Sequence, residues 1–254
     1  MNTKAEETLI GDGRVMSLSQ HLGELRERVV KSLLAILVLF FVALFFSSQI
    51  LNFLKGPLAA ALPDTADVLH FTGPMEVFLA TIKVSLLASF IFSCPVWIYQ
   101  FWRFLEPALY PGERRYVLPF IFASIVLFCL GVLFSYYGIF PLALEFLMSL
   151  GMEVGRPIIT ISDYLSVLMI MIFGFGIVFE APLVLVLLAT LDLVSAKLLS
   201  QYRRFVIILI LIISAIFTPP DPLSQIGMAI PLYLMYELSI VIIKKMEKRK
   251  APAA

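Results

Sequence analysis

The residue with the clearest chemical potential is Glu180, the one acidic or basic side chain within the apolar run from Tyr164 to Leu191. A run of this length crosses a bilayer as a helix. An acidic residue at the centre of such a helix costs about 3 kcal/mol on insertion scales. We therefore expect Glu180 to face a wet or protein-lined interior and to serve function. The alternative is a protonated Glu that packs by hydrogen bonding to a neighbouring helix.

Further carboxylates lie just outside the apolar runs: Glu24 and Glu27 precede the first run, and Glu106 and Glu113 follow the second. Carboxylates are the best partners of arginine, because a guanidinium matches a carboxylate with two parallel hydrogen bonds. Two plainer interpretations remain open. Glu24 stands four residues before Arg28, a spacing that favours a helical ion pair of about 0.5 kcal/mol. A loop carboxylate such as Glu113 is usually only solvated.

Other kinds of site have little support in the sequence. Cys94 and Cys129 lie inside apolar runs and are interpreted as packing residues. His21 and His70 lack companions at ligand spacing, so we expect no metal and no cofactor. Without a Ser/His pair or a phosphate-binding loop we expect no enzyme activity. A proton-coupled small-solute transporter that uses Glu180 remains an alternative, although the chain has no internal repeat or second mid-membrane charge.

The chain is far more apolar than a soluble domain, with 61% of its 254 residues hydrophobic and 15% charged, against about 45–50% and 25% in soluble proteins. This composition predicts an all-α, polytopic membrane protein. The polar first 31 residues lack a short apolar segment with a cleavage site, so we expect the first run to insert as an uncleaved anchor. We predict six spans, at Ser32–Leu51, Val77–Phe101, Val117–Ile139, Tyr164–Leu191, Phe205–Phe217 and Ile226–Ile243.

Prolines indicate where these helices bend or end. Pro95 and Pro182 are expected to kink the second and fourth spans, and Pro141 to end the third. The fifth run has 13 residues, or about 20 Å of helix against a hydrocarbon core of about 30 Å. Because Pro231 also interrupts the sixth run, we expect the fifth and sixth helices to be short.

The connections and the charges predict the orientation. Asn52–Met75 and Leu142–Asp163 are too long for simple turns, so we expect each to form a structured outer (periplasmic) cap. In a six-span arrangement all Lys and Arg residues except Lys55, Lys83 and Arg156 fall on one side, which predicts both termini in the cytoplasm. The expected organisation is a disordered cytoplasmic tail, a single six-helix membrane domain and a basic cytoplasmic tail, at residues 1–16, 17–245 and 246–254.

Four segments together resemble the TatC family, the polytopic receptor subunit of the twin-arginine protein translocase. HLGELRER precedes the first span, LEPALYPGERR follows the second, FGIVFEAPL lies in the fourth, and TPPDPLSQ separates the fifth from the sixth. The four occur in the family's order and spacing. They begin at His21, Leu105, Phe175 and Thr218, and the resemblance extends over about Leu18 to Lys245.

The resemblance implies a fold, a location and partners. The fold would be a concave, glove-like bundle of six helices in the bacterial cytoplasmic (inner) membrane, with both termini in the cytoplasm. The protein would bind twin-arginine signal peptides of folded cargo at the cytoplasmic face. It would then recruit the single-span TatA and TatB subunits for export driven by the proton-motive force. It would be a homo-oligomer within a TatBC-type complex, surrounded by lipid and without a nucleic-acid partner.

The resemblance also implies roles for particular residues. Glu106 departs from the family pattern, and whether it adds a carboxylate to the peptide site or pairs with Arg103 is left open. Glu180 corresponds to the family's intramembrane polar contact, and Pro57 to a position in the first outer cap. The implied signal-peptide-binding residues are Glu24, Glu113, Phe104 and Arg26, and the implied partner-helix contacts are Thr218, Asp221 and Gln225.

Overall fold

The computed structural model describes residues 18–61, 69–109, 114–155 and 158–250, so the predicted tail at residues 1–16 lies outside it. The first half forms α1 (Leu18–Phe45), α2 (Ser47–Leu54), α3 (Gly56–Ala61), β1 (Leu69–His70), α4 (Pro74–Phe92) and α5 (Cys94–Leu105), with 3-10 turns at Glu106–Ala108 and Arg114–Tyr116. The second half forms α6 (Val117–Phe134), a π-helical turn (Ser135–Ile139), α7 (Phe140–Val154), β2 (Ile159–Thr160), α8 (Ile161–Val178), α9 (Ala181–Thr190), α10 (Ala196–Gln201), α11 (Arg203–Phe217) and α12 (Pro222–Lys250).

The predicted all-α membrane architecture is confirmed. Within the described residues, five segments are long and apolar enough to cross a membrane. The predicted fifth span is α11, whose 15 residues give about 22 Å of helix and fall short of a bilayer core of about 30 Å. The five long segments are Gln20–Phe45, Pro74–Phe92, Val117–Gly151, Ile161–Thr190 and Pro222–Lys248.

Two of the predicted proline breaks are confirmed. The second span divides at Ser93, just before Pro95, into α4 and α5. The fourth divides into α8 and α9 just before Pro182, so that Glu180 lies in the break. Because proline has no N–H, each break sits where an intrahelical hydrogen bond is lost.

The prediction that Pro141 ends the third span is wrong. The helix widens into the π-helical turn before the proline, where the N–H of Phe140 bonds to the carbonyl of Ser135. It then continues as α7, in which Pro141 occupies the first turn. A proline in a first turn costs little, because its missing N–H would have had no partner there.

The prediction of a short sixth helix is also wrong. α12 has 29 residues and passes through Pro231 without ending. Residues Met246 to Lys250, assigned to a separate basic tail, continue α12 as helix. The apolar run was a poor guide to the length of this helix, because Lys is a good helix former and a charged end extends the helix beyond its apolar part.

α8 is the centre of the bundle. Leu165, Leu168 and Met171 on it are fully buried, and it contacts α4, α6 and α11. Lys83 of α4 donates hydrogen bonds to the hydroxyl of Ser166 on α8, with an N–O distance of 2.9 Å. α8 is therefore held by packing on several sides.

The two predicted caps meet at one end of the bundle. β1 and β2 form a two-residue parallel ladder that pairs Leu69 with Ile159 and His70 with Thr160. Glu76 joins the same region, because its carboxylate accepts the N–H of Ser162 in the first turn of α8 at 2.9 Å. We term this the strand end; α1 begins and α12 ends at the opposite, terminal end.

Pro57 shapes the first cap through the carbonyl that it leaves free. Since proline has no N–H, the carbonyl of Phe53, four residues earlier, lacks its regular helical donor. The hydroxyl of Tyr136 donates to that carbonyl, and the hydroxyl of Tyr164 donates to the carbonyl of Leu54. The buried Pro57 thus marks a bend that two tyrosines from distant helices stabilise.

We expect Tyr136→Phe to lower the free energy of unfolding by about 1–3 kcal/mol, the cost of leaving a buried carbonyl unsatisfied. The measurement is the melting temperature of the purified protein in detergent. Tyr137→Phe is the matched control, because this neighbouring side chain is 64% exposed. Equal melting temperatures for the two variants would contradict the role given to Tyr136.

Candidate functional site

At the terminal end, Glu24 is held between α1 and α5. Its Oε1 accepts the Nε–H of Arg28 at 3.0 Å and a second hydrogen bond from the same guanidinium. Arg28 also donates to the amide oxygen of Gln100 on α5 at 3.3 Å. The side chain of Glu24 is 22% exposed, so the ion pair predicted by the i, i+4 spacing is present and lies against the neighbouring helix.

An aromatic stack joins the same two helices one turn earlier. The imidazole of His21 lies on the ring of Phe104 with centroids 4.4 Å apart and planes inclined by 18°. The structure therefore brings Phe104 and Glu24 to one face of the terminal end. Arg26 is exposed, and residues two apart on a helix do not face the same direction, so Arg26 is not brought to that face.

The loop after α5 supplies the remaining predicted residues. Arg103 forms an ion pair with Glu106 across one helical turn, which is the second of the two alternatives left open by the sequence. Glu113 lies outside the described residues. The loop resumes at Arg114, in the turn that leads into α6.

Glu180 lies opposite α6. Two close contacts between α6 and α8 define the register of these two helices. A Cβ on Gly131 of α6 would come within 2.6 Å of the carbonyl oxygen of Phe175, and a Cβ on Gly176 of α8 within 2.7 Å of the ring of Phe128. Gly131 and Phe128 on α6 therefore lie at the same height in the bundle as Phe175 and Gly176 on α8, which runs antiparallel to α6. One turn further along both helices, the residue level with Glu180 is Ser124.

Ser124 and Trp102 form a polar contact beside this carboxyl. The indole Nε1–H of Trp102 donates to the hydroxyl of Ser124 at 2.7 Å, and both residues are almost fully buried. The Ser124 hydroxyl still has its own hydrogen to donate, and the helix register puts it at the level of the Glu180 carboxyl. Oε1 of Glu180 is buried and has no hydrogen-bond partner among the described residues.

The third group of predicted residues surrounds the turn between α11 and α12. Asp221 is 2% exposed and caps α12, because its carboxylate accepts the N–H of Ser224 at 2.7 Å. The Thr218 side chain is buried. Gln225 donates to the carbonyl of Leu211 on α11 at 3.2 Å and is only half-buried. Of the three, Gln225 is the residue best placed to meet another helix.

The comparison with protein families decides the identity of this fold and site. The sequence profile described as Sec-independent protein translocase protein (TatC) matches residues 20–231. The chain belongs to the TatC family. It is therefore a TatC-type subunit of the twin-arginine translocase, a membrane translocase component and not an enzyme. The alternative of a small-solute transporter is not supported.

Relatives and solved structures agree along most of the chain. The TatC protein of Aquifex aeolicus is 39% identical over 237 residues, covering 92% of this chain and 98% of that protein. The TatC protein of Escherichia coli is 35% identical over 223 residues, covering 88% and 86%. A crystal structure of the twin arginine translocase receptor TatC matches with a TM-score of 0.77 at 39% identity, covering 88% of this chain and 98% of that one.

Sequence reasoning missed several side chains that hold the TatC-type site together. His21 and Gln100 join α1 to α5, and Trp102 bonds to Ser124 on the helix that faces Glu180. Ser124 carried one signal, since it is an isolated hydroxyl within the apolar run after Val117. Its importance could not be inferred without the register between α6 and α8.

Proposed function

We propose that this chain is the receptor for twin-arginine signal peptides of folded precursor proteins, which it binds at its terminal end on the cytoplasmic side. The carrying observation is that Glu24 is half-buried against α5, one helical turn from the His21–Phe104 stack. A guanidinium binds a carboxylate through paired hydrogen bonds and an aromatic ring through its face. The terminal end offers both groups next to each other.

Pairing with Arg28 leaves Glu24 able to bind a further arginine. Both hydrogen bonds from Arg28 reach the same oxygen, Oε1. A carboxylate offers about four acceptor positions on its two oxygens. A signal-peptide arginine can therefore share Glu24, and the second arginine is assigned to Glu113 on the loop after α5. Lysine would satisfy these carboxylates less well, because it lacks the planar fork.

The assignment of the terminal end to the cytoplasm rests on charge. The last turns of α12 carry exposed Lys244, Lys245 and Lys248, and Arg203 and Arg204 begin α11 at the same end. Basic residues concentrate on the cytoplasmic side of membrane proteins. Both termini then lie in the cytoplasm, and the strand end faces the outer side of the bacterial inner membrane.

α11 and the beginning of α12 are proposed to recruit the single-span subunits TatA and TatB for transport driven by the proton-motive force. Only Ile210 and Ser214 of α11 are buried, so the described part of the chain leaves most of this apolar helix uncovered. Gln225 at the edge of this surface supplies a polar group, and such groups form interhelical hydrogen bonds in membranes. A homo-oligomeric complex with TatB would place these surfaces around bound cargo.

The direct test compares two peptides on the full chain in lipid nanodiscs. Glu24→Gln should weaken binding of a fluorescent twin-arginine signal peptide about tenfold or more, because hydrogen bonds to charged groups contribute about 1.5–3 kcal/mol. The same peptide with a lysine pair should bind weakly to both proteins and lose less. The measurement is a fluorescence anisotropy titration.

Glu27→Gln is the matched control for that titration. Glu27 lies on the same helix and pairs with Lys31 four residues on, but its side chain is 67% exposed. We expect its affinity for the twin-arginine peptide to stay within about twofold, as for an ordinary surface pair. Equal losses for the arginine and lysine peptides in Glu24→Gln would refute arginine recognition by this residue.

A further inference from the structure

We propose that Ser124 and Trp102 are positioning residues that orient the intramembrane carboxyl of Glu180 for its partner in transport. In this arrangement the indole N–H of Trp102 fixes the Ser124 hydroxyl, and that hydroxyl donates to one oxygen of Glu180. That oxygen is the buried Oε1, and the second oxygen is left for a donor on the inserted peptide or on a partner helix. The inference rests on the proposed function, since it assigns a task to Glu180 within transport.

The packing of α6 against α8 is the first support. Gly131 and Gly176 let the two backbones approach so closely that a Cβ on either would overlap a neighbour. Close approach of this kind fixes the register of two membrane helices. Ser124 lies one turn from Phe128, and Glu180 one turn from Gly176, on the sides that face each other. The hydroxyl and the carboxyl are therefore level by backbone geometry.

The hydrogen bonding of Ser124 is the second support. Two buried serines of α4 turn their hydroxyls back onto their own helix: Ser85 donates to the carbonyl of Thr81, and Ser89 to that of Leu86. The recorded bond of Ser124 instead comes from another helix, as its oxygen accepts the N–H of Trp102. A hydroxyl that accepts one bond still has its own hydrogen to donate.

The unsatisfied oxygen of Glu180 is the third support. Most buried polar atoms in proteins have a partner, and an exception needs an explanation. Oε1 of Glu180 is such an exception within the described residues. Because Oε1 is covered by the chain, its donor must come from within the fold, and the free hydrogen of the buried Ser124 hydroxyl lies at its level. The second oxygen then remains for a donor that arrives from outside the chain.

Trp102 also connects this site to the terminal end. It lies two residues before Phe104 on α5, and its indole stacks on Phe120 of α6 with centroids 5.0 Å apart and planes inclined by 6°. The ring is thus fixed independently of its N–H. Trp102→Phe removes the donor and keeps an aromatic ring for the stack, which makes it a suitable second variant.

The test reads the Glu180 carboxyl by infrared spectroscopy of the full chain in lipid nanodiscs. The carbonyl stretching band of the Glu180 side chain is identified by its absence from Glu180→Gln. This assignment works for the protonated and for the ionised carboxyl. We expect Ser124→Ala to shift this band to the frequency of a more weakly hydrogen-bonded carboxyl, Trp102→Phe to shift it less, and Ser124→Thr to restore it. Ser89→Ala, at another fully buried serine, should leave it unchanged.

Transport into membrane vesicles supplies the functional half of the test. Ser124→Ala should lower the rate of transport of a twin-arginine precursor about two- to tenfold, the effect of one hydrogen bond. Ser124→Thr should recover it. An unshifted band in Ser124→Ala, or an equal shift in Ser89→Ala, overturns the hydrogen bond. A shifted band with unchanged transport overturns its role. Failure of the proposed function appears separately, as absence of transport by the unsubstituted protein.

Discussion

Glu180→Gln should reduce transport of a twin-arginine precursor about tenfold or more while the signal peptide still binds at the terminal end. Glutamine has nearly the same shape, so packing between α6 and α8 is preserved. It removes the ionisable group and replaces one carboxyl oxygen with an amide donor. Retaining a carboxylate at this depth costs about 3 kcal/mol, and the proposed contact with a donor from outside the chain gives that cost a function.

Two assays on the same preparations separate the two steps. The peptide titration in nanodiscs should give affinities within about twofold of the unsubstituted protein, because Glu24 and Phe104 lie on α1 and the last turn of α5, apart from the break that holds Glu180. Vesicle transport should be lost. Glu145→Gln is the control, since this carboxylate is exposed on α7. Loss of peptide binding together with transport would show that recognition and transport are not divided in this way.

Glu24 and Glu180 belong to two separate parts of the site, and both residues could be identified from the sequence. Glu180 stood out because charge within a long apolar run is costly. The spacing of Glu24 to Arg28 predicted the helical ion pair that is present, whereas its role in peptide binding came from the family resemblance. The proline breaks at Pro95 and Pro182 followed from a missing N–H. Each of these inferences depends on residues within a few turns of one another.

What could not be predicted depends on distant contacts or on a rare turn. The π-helical turn at Ser135–Ile139 carries the third helix past Pro141, and no pattern of apolar residues marks such a turn. The tyrosine bonds that satisfy Phe53 and Leu54 span 83 and 110 residues. The proposed pairing of Ser124 with Glu180 depends on the register of two helices.

The register of α6 and α8 leads to the prediction with the largest effect on the fold. Gly131→Ala should lower the free energy of unfolding by about 3 kcal/mol, the upper part of the usual range for overpacking. The added Cβ would lie 2.6 Å from the carbonyl oxygen of Phe175. That oxygen already accepts the N–H of Phe179 at 3.0 Å. Backbone cannot turn away as a flexible side chain can, so α6 and α8 must separate.

The matched control is Gly151→Ala on α7, where a Cβ would meet nothing within 4 Å. Alanine is the better helix former by about 0.5–1 kcal/mol, so this variant should be as stable as the unsubstituted protein or more so. Gly131→Ala should melt about 6–12 °C lower in detergent, at about 2–4 °C for each kcal/mol. It should also displace the Glu180 infrared band, because Phe179 precedes Glu180 and moves with the Phe175 carbonyl. A variant with unchanged melting temperature would contradict the register from which the pairing of Ser124 with Glu180 is derived.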